Sequence, residues 1–145
     1  GGYVGYACIL PFWDVQAAGS CPYTPYWHGL EALRASLDLL GGEGMEAVCS
    51  RHEQVAQQCR EGLLFLGLEL FPLPDAVPSP TVTAAMVPPG QEWLKWRQKL
   101  RERGLVVGGS FGPMAGKVFR LGHMGIQADS GLLARALEAM GDALS

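Results

Sequence analysis

Residues 104–125 read GLVVGGSFGPMAGKVFRLGHMG. Leu105, Val106 and Val107 are apolar and mostly β-branched, which predicts a short buried strand. Gly108, Gly109, Gly112, Pro113 and Gly116 follow, a run of turn formers too dense for a regular element, so a loop is expected there. A second strand is predicted over residues 117–121, where Val118 and Leu121 are bulky and Arg120 stands among apolar neighbours. A guanidinium is always charged and is rarely buried without a partner. Arg120 therefore either meets a carboxylate of this protein, with Asp129 and Glu69 as candidates, or receives one from outside.

Working outward, the segment 92–103 carries Trp93, Trp96 and Leu100 on one helical face, flanked by Lys95, Arg97, Lys99, Arg101 and Arg103. Basic stems lying over the rim of a buried aromatic face account for these charges without a nucleic acid or a membrane. Upstream, residues 81–87 are β-branched and apolar enough for a strand, and the four prolines of 72–80 exclude regular structure before it. Residues 68–71 predict a further short strand. Between 44 and 66, Met45, Val48, His52, Val55, Cys59, Leu63 and Leu66 recur at helical spacing, with His52 on the apolar stripe as a hydrogen-bonded core residue. Leu30, Leu33, Leu37 and Leu40 mark an earlier helix, expected to end at Gly41 and Gly42, with Thr24 and Pro25 as its entry and Thr24 as a capping hydroxyl. A last helix starts at Asp129 or Ser130, with Leu132, Leu133, Ala136, Leu137, Met140 and Leu144 inward. From residue 44 the order is helix, strand, strand, helix, strand, strand, helix. That order predicts an α/β (α+β) fold: a two-layer small domain with helices packed on a short mixed or antiparallel sheet.

Composition narrows the function classes. The 145 residues are 48% hydrophobic and 17% charged, which excludes disorder, and the net charge of −3 offers no general attraction to nucleic acid. Cys8, Cys21, Cys49 and Cys59 form no CxxC pair, so neither a metal site nor a disulfide scaffold is indicated, and a reducing cytoplasm is the default. Cys49 and Cys59 on one helix stand about 15 Å apart, too far to bridge. No apolar run reaches the ~18 residues of a membrane span. The opening GGYVGYACILPFW reads as the interior of a longer protein rather than as a leader.

The stretch 104–125, preceded by SPTVTAAMVPPG at 79–90, resembles the C-terminal part of class V pyridoxal-phosphate aminotransferases of fold type I, in the alanine–glyoxylate and serine–pyruvate branch. The resemblance runs over nearly the whole chain from Thr24. It implies that Arg120, within KVFRLGHMG, binds the α-carboxylate of the amino or 2-oxo acid. It implies that Thr24, within TPYWHGLEALRASL, contacts the cofactor phosphate of the neighbouring subunit of a homodimer. Anions are favoured at helix N-termini, where unpaired N–H groups point outward. The family also places a tyrosine a few residues before that threonine. Cys21 occupies the aligned position here and Tyr23, shifted, is taken as the second cofactor contact.

By the same resemblance, residues 1–42 close the large cofactor domain with its connecting helix, and residues 43–145 form the small domain. The cofactor is pyridoxal 5'-phosphate. None of Lys95, Lys99 and Lys117 matches the family lysine that carries it, which is expected upstream of Gly1 together with the pyridine-facing acid and the stacking residue. No catalytic residue is therefore assigned within this chain, and by itself it is expected to be inactive. The expected reaction of the parent moves an amino group between an alanine- or serine-type amino acid and a glyoxylate- or pyruvate-type 2-oxo acid. Two alternatives stay open: another class V activity, or a non-catalytic α/β module that binds a small acid or dimerises. His123, three residues past Arg120, either lines the site or packs, and packing is the simpler reading. The face meant for the missing large domain is expected to be apolar and exposed.

Overall fold

A computed structural model describes residues 8–145. They fall into two compact units, Gly1–Gly42 and Glu43–Ser145. The first holds a 3-10 turn at Leu10–Phe12, a short helix α1 (Val15–Ala18) and most of helix α2 (Trp27–Glu43). α2 does not end at Gly41 and Gly42, as the sequence suggested. It runs through both to Glu43, and the break comes at Gly44, whose φ of 87° is a conformation that side chains resist. Two glycines lower helix propensity, whereas a left-handed residue ends the helix. Of the stripe that the spacing revealed, Leu30, Leu33 and Leu37 on α2 are each more than half exposed.

The second unit contains α3 (Met45–Phe65), β1 (Val82–Met86), α4 (Trp93–Glu102), β2 (Gly108–Gly109), β3 (Val118–Gly122) and α5 (Ser130–Leu144). The sheet is antiparallel in the order β1-β3-β2. Helices cover one face, giving the two-layer α/β arrangement expected. α3 packs on β1 and α5, and α4 on α5. On α3 the helical stripe is buried at Val48, His52, Val55, Cys59 and Leu63. Trp96 and Phe119, both fully buried, meet edge to face at 4.9 Å between ring centroids. Burial of each ring stabilises by about 1.5–3 kcal/mol, and the aromatic pair adds about 0.5–1.5 kcal/mol.

The helix starts follow capping chemistry. The Glu92 carboxylate accepts the Leu94 N–H at 3.0 Å and opens α4, and Asp129 accepts the Leu132 N–H at 2.7 Å and opens α5. Asp129 rather than Ser130 is the cap; the Ser130 hydroxyl donates to Gln58. On α5 the inward set is Leu133, Met140 and Ala143, with Leu137 and Leu144 partly buried against the core, while Leu132 is 38% exposed.

Two strand assignments shift. Residues 68–71 form only an isolated bridge, Leu70 to Ala85, because Pro72 and Pro74 end the extended run at once. The strand expected over 105–107 is displaced onto Gly108 and Gly109, because the Leu105 N–H is held by the Leu100 carbonyl at 2.9 Å and closes α4. The glycines that looked too dense for regular structure are thus the strand itself. Gly109 has a packing reason: a Cβ there would come within 2.9 Å of the Trp93 ring, whereas at Gly108 the nearest atom would be 3.6 Å away, at the Arg120 guanidinium.

Gly109→Ala should accordingly destabilise the protein by about 1–3 kcal/mol through overpacking, while Gly108→Ala should change stability little. Denaturant unfolding of the two variants checks this; equal losses would remove the Trp93 contact as the cause.

Candidate functional site

Strand geometry decides what Arg120 can do. On β3, Val118, Phe119 and Leu121 are buried and Arg120 is exposed. Phe119 faces the helices, so its neighbour Arg120 faces the opposite side of the sheet. The sequence expectation of an arginine enclosed by apolar neighbours is corrected here: Phe119 and Leu121 are adjacent along the chain but lie on the other face, and only Val118, two residues away, shares the face of Arg120.

The guanidinium is positioned nevertheless. Arg120 stands opposite Gly108 on β2 and Ala84 on β1, two residues with little or no side chain. Its Nε donates to the Gly109 carbonyl at 3.0 Å, and its Cζ lies 5.5 Å from the centroid of the Phe111 ring, a cation–π arrangement. Among the described residues neither Asp129 nor Glu69 holds it, and the one ion pair is Arg51 with Glu43. Nε is used for orientation, and the terminal nitrogens can present a planar fork to a carboxylate. Sequence reading missed Gly108, Gly109 and Phe111 as parts of this cradle, since only the register of β2 against β3 brings them to Arg120.

The turn after β3 is pinned from α3. His52 is buried: its Nδ1–H donates to the Val48 carbonyl at 2.7 Å, and its Nε2 accepts the Gly125 N–H at 2.9 Å. Arg51 donates from Nη1 to the carbonyls of Gly125 and Ala128 at 2.8 and 2.9 Å, and grips both oxygens of Glu43 through Nε and Nη2. That grip holds the Glu43 carboxyl below its ordinary pKa and raises that of Arg51. His52 is the core histidine the sequence suggested. Its partner Gly125, 73 residues away, was not readable.

His123 packs inside. It is 2% exposed, its Nε2 lies 2.9 Å from the Thr83 hydroxyl, and its Nδ1 has no hydrogen-bond partner among the described residues. Burial pushes its pKa below the ordinary imidazole value. Burial likewise raises the pKa of the neighbouring Cys59 thiol, opposed in part by a hydrogen bond with Thr83.

In the first unit, Thr24 is exposed and does not cap α2. The helix begins at Trp27, with the Tyr26 carbonyl accepting the Leu30 N–H, so Thr24 stands two residues ahead of the cap position. Tyr23 is half-buried, with its ring 6.1 Å from that of Phe12. Lys95 and Lys117 are exposed and Lys99 half-buried. All four cysteines are free. No helix among the described residues is long and apolar enough to cross a membrane.

The homologues of this chain are aminotransferases of the class V type, including alanine–glyoxylate and serine–glyoxylate aminotransferases. An uncharacterised aminotransferase of Methanocaldococcus jannaschii is 43% identical over 114 residues, 78% of this chain and 29% of that protein. The pyridoxamine–pyruvate transaminase of Mesorhizobium japonicum is 38% identical over 125 residues, 86% of this chain and 32% of that protein. The crystal structure of pyridoxamine–pyruvate aminotransferase from Mesorhizobium loti superposes with a TM-score of 0.87 at 34% identity, covering 94% of this chain and 35% of that one. The chain therefore spans about a third of the length of these relatives. No family model matches the sequence.

The buried imidazole gives a pH prediction. Because the folded pKa of His123 is lowered, the unfolded chain binds the extra proton first. Stability should fall as pH drops below about 6.5 and level off below the folded pKa. The slope should weaken in His123→Gln, as measured by unfolding across that range; an unchanged slope would assign it to another group.

Proposed function

We propose that this chain is the C-terminal part of a pyridoxal-phosphate-dependent aminotransferase. The reaction moves an amino group between a small amino acid of alanine or serine type and a 2-oxo acid of glyoxylate or pyruvate type. The observation that carries the reading is Arg120: a guanidinium oriented through Nε, with no carboxylate partner among the described residues, in a chain whose homologues are aminotransferases. Its role is to receive the substrate carboxylate in a parallel two-bond fork and so fix the orientation of the substrate Cα.

The chain has a group suited to part of the cofactor. The Thr24 hydroxyl is exposed and holds no hydrogen bond among the described residues, just ahead of the N-terminus of the 17-residue helix α2. A hydroxyl and unpaired N–H groups at such an end suit a phosphate. Thr24 is the proposed phosphate contact toward a second subunit, with Tyr23 beside it. Pyridoxal phosphate, when bound, supplies the electron sink for charge developing at the substrate Cα. The lysine that carries it belongs, on this reading, to a part of the protein outside the chain. On this reading the parent is a cytoplasmic homodimer.

In the full-length protein, Arg120→Ala should raise KM for amino and 2-oxo acids by about 10- to 150-fold, the equivalent of about 1.5–3 kcal/mol for a charged hydrogen-bonded contact. Donors lacking a carboxylate should be nearly unaffected, and Arg120→Lys should restore only part. Equal losses for both donor types would return Arg120 to a structural role.

Thr24→Ala should weaken cofactor retention more than substrate binding, measured by the free cofactor needed to restore activity. Unchanged retention would remove Thr24 from the phosphate site.

A further inference from the structure

A cavity of about 230 Å³ lies between the proline-rich segment 72–79 and the outer edge of β1. Its walls are apolar at Leu70, Leu73, Pro74 and Val82, and among the described residues the one charged group lining it is Arg60 from α3. The space is of the scale of a small organic molecule.

The polar groups of the lining differ in what they have left to offer. The Thr83 hydroxyl is bonded to His123 Nε2 at 2.9 Å, and the Ser79 hydroxyl lies 3.2 Å from that of Thr81 and accepts the Thr81 N–H. Arg60 donates from Nη2 to the Gln57 side chain at 2.8 Å and, among the described residues, has no carboxylate partner. It is half-buried and no acid lines the cavity. An unpaired guanidinium on an apolar cavity favours one chemistry, a carboxylate on an apolar body.

We propose that this cavity is a binding site for a small free monocarboxylate with a branched aliphatic body, held at Arg60 rather than at Arg120. The occupant lies against Val82 and Ala84 of β1, and Ala84 is the residue paired with Arg120 on β3. It also reports on the core. The His123 pKa is lowered first by burial and in lesser part by the charge of Arg60, so a carboxylate that offsets Arg60 raises it.

The test uses the full-length protein with 4-methylpentanoate as probe and 4-methylpentanamide as its uncharged control. Titration calorimetry should show saturable binding of the acid and none of the amide. Arg60→Gln should weaken the acid by about 10- to 150-fold, and Arg60→Lys should retain part. Proton resonances of the His123 ring should titrate at higher pH when the acid is bound. Ala76 lines the cavity from an exposed position in the loop, so Ala76→Phe should fill the cavity and abolish binding with Arg60 intact. That variant decides the matter if Arg60→Gln fails to fold. No saturable binding of the acid, equal binding of acid and amide, binding unaffected by Ala76→Phe, or loss of binding in Arg120→Ala would each overturn the proposal.

Discussion

The burial of Phe119 against Trp96 is the constraint from which the rest of the second unit follows. Phe119 and its antiparallel neighbour Ala85 are both fully buried, which commits that face of the sheet to the helices. Alternation along β3 then leaves Arg120 no choice of side. A one-residue slip in register would put the guanidinium into the core and a phenylalanine into solvent. Core packing and the presentation of the charged group are therefore one decision, made by side chains adjacent in the chain.

The turn that follows β3 is fixed by a different kind of interaction. Gly125 is bonded on its N–H by His52 and on its carbonyl by Arg51, neighbours on α3. A backbone unit held on both sides by side chains of one helix cannot slide along it without losing both bonds. Glu43, at the end of α2, aligns the Arg51 fork through its two oxygens. The polar clamp thus continues, past the last strand residue, the positioning that the aromatic contact begins.

The parts of this structure legible in the sequence are those with a period. The α3 stripe, the aromatic face of α4 and the strands β1 and β3 repeat at 3.6 or 2 residues and emerge with small boundary shifts. Arg120 stood out because a charge in an apolar strand is chemically conspicuous. Pairing was not legible. Gly108 and Gly109 carry no side-chain signal, and their strand character exists only because β3 offers partners at Arg120 and Phe119. The burial of Arg120 was misjudged because chain neighbours were read as spatial ones. Thr24 looked like a cap, but α2 starts at Trp27, with the Tyr26 carbonyl and not the hydroxyl at its entry.

The brevity of β2 has a consequence for life among many copies of the same chain. An open sheet edge is a template for pairing with another molecule, and its hazard grows with the length of unpaired backbone it offers. Here one margin is two glycines long, with the Gly109 carbonyl already taken by Arg120. The other margin, β1, is covered where the Phe71 N–H bonds Ala84 and the Met86 N–H bonds the Glu69 carbonyl. Among the described residues neither side presents a run of free donors and acceptors long enough to seed a ladder. The same arginine that faces outward also occupies a carbonyl of that margin and so helps keep the sheet from growing.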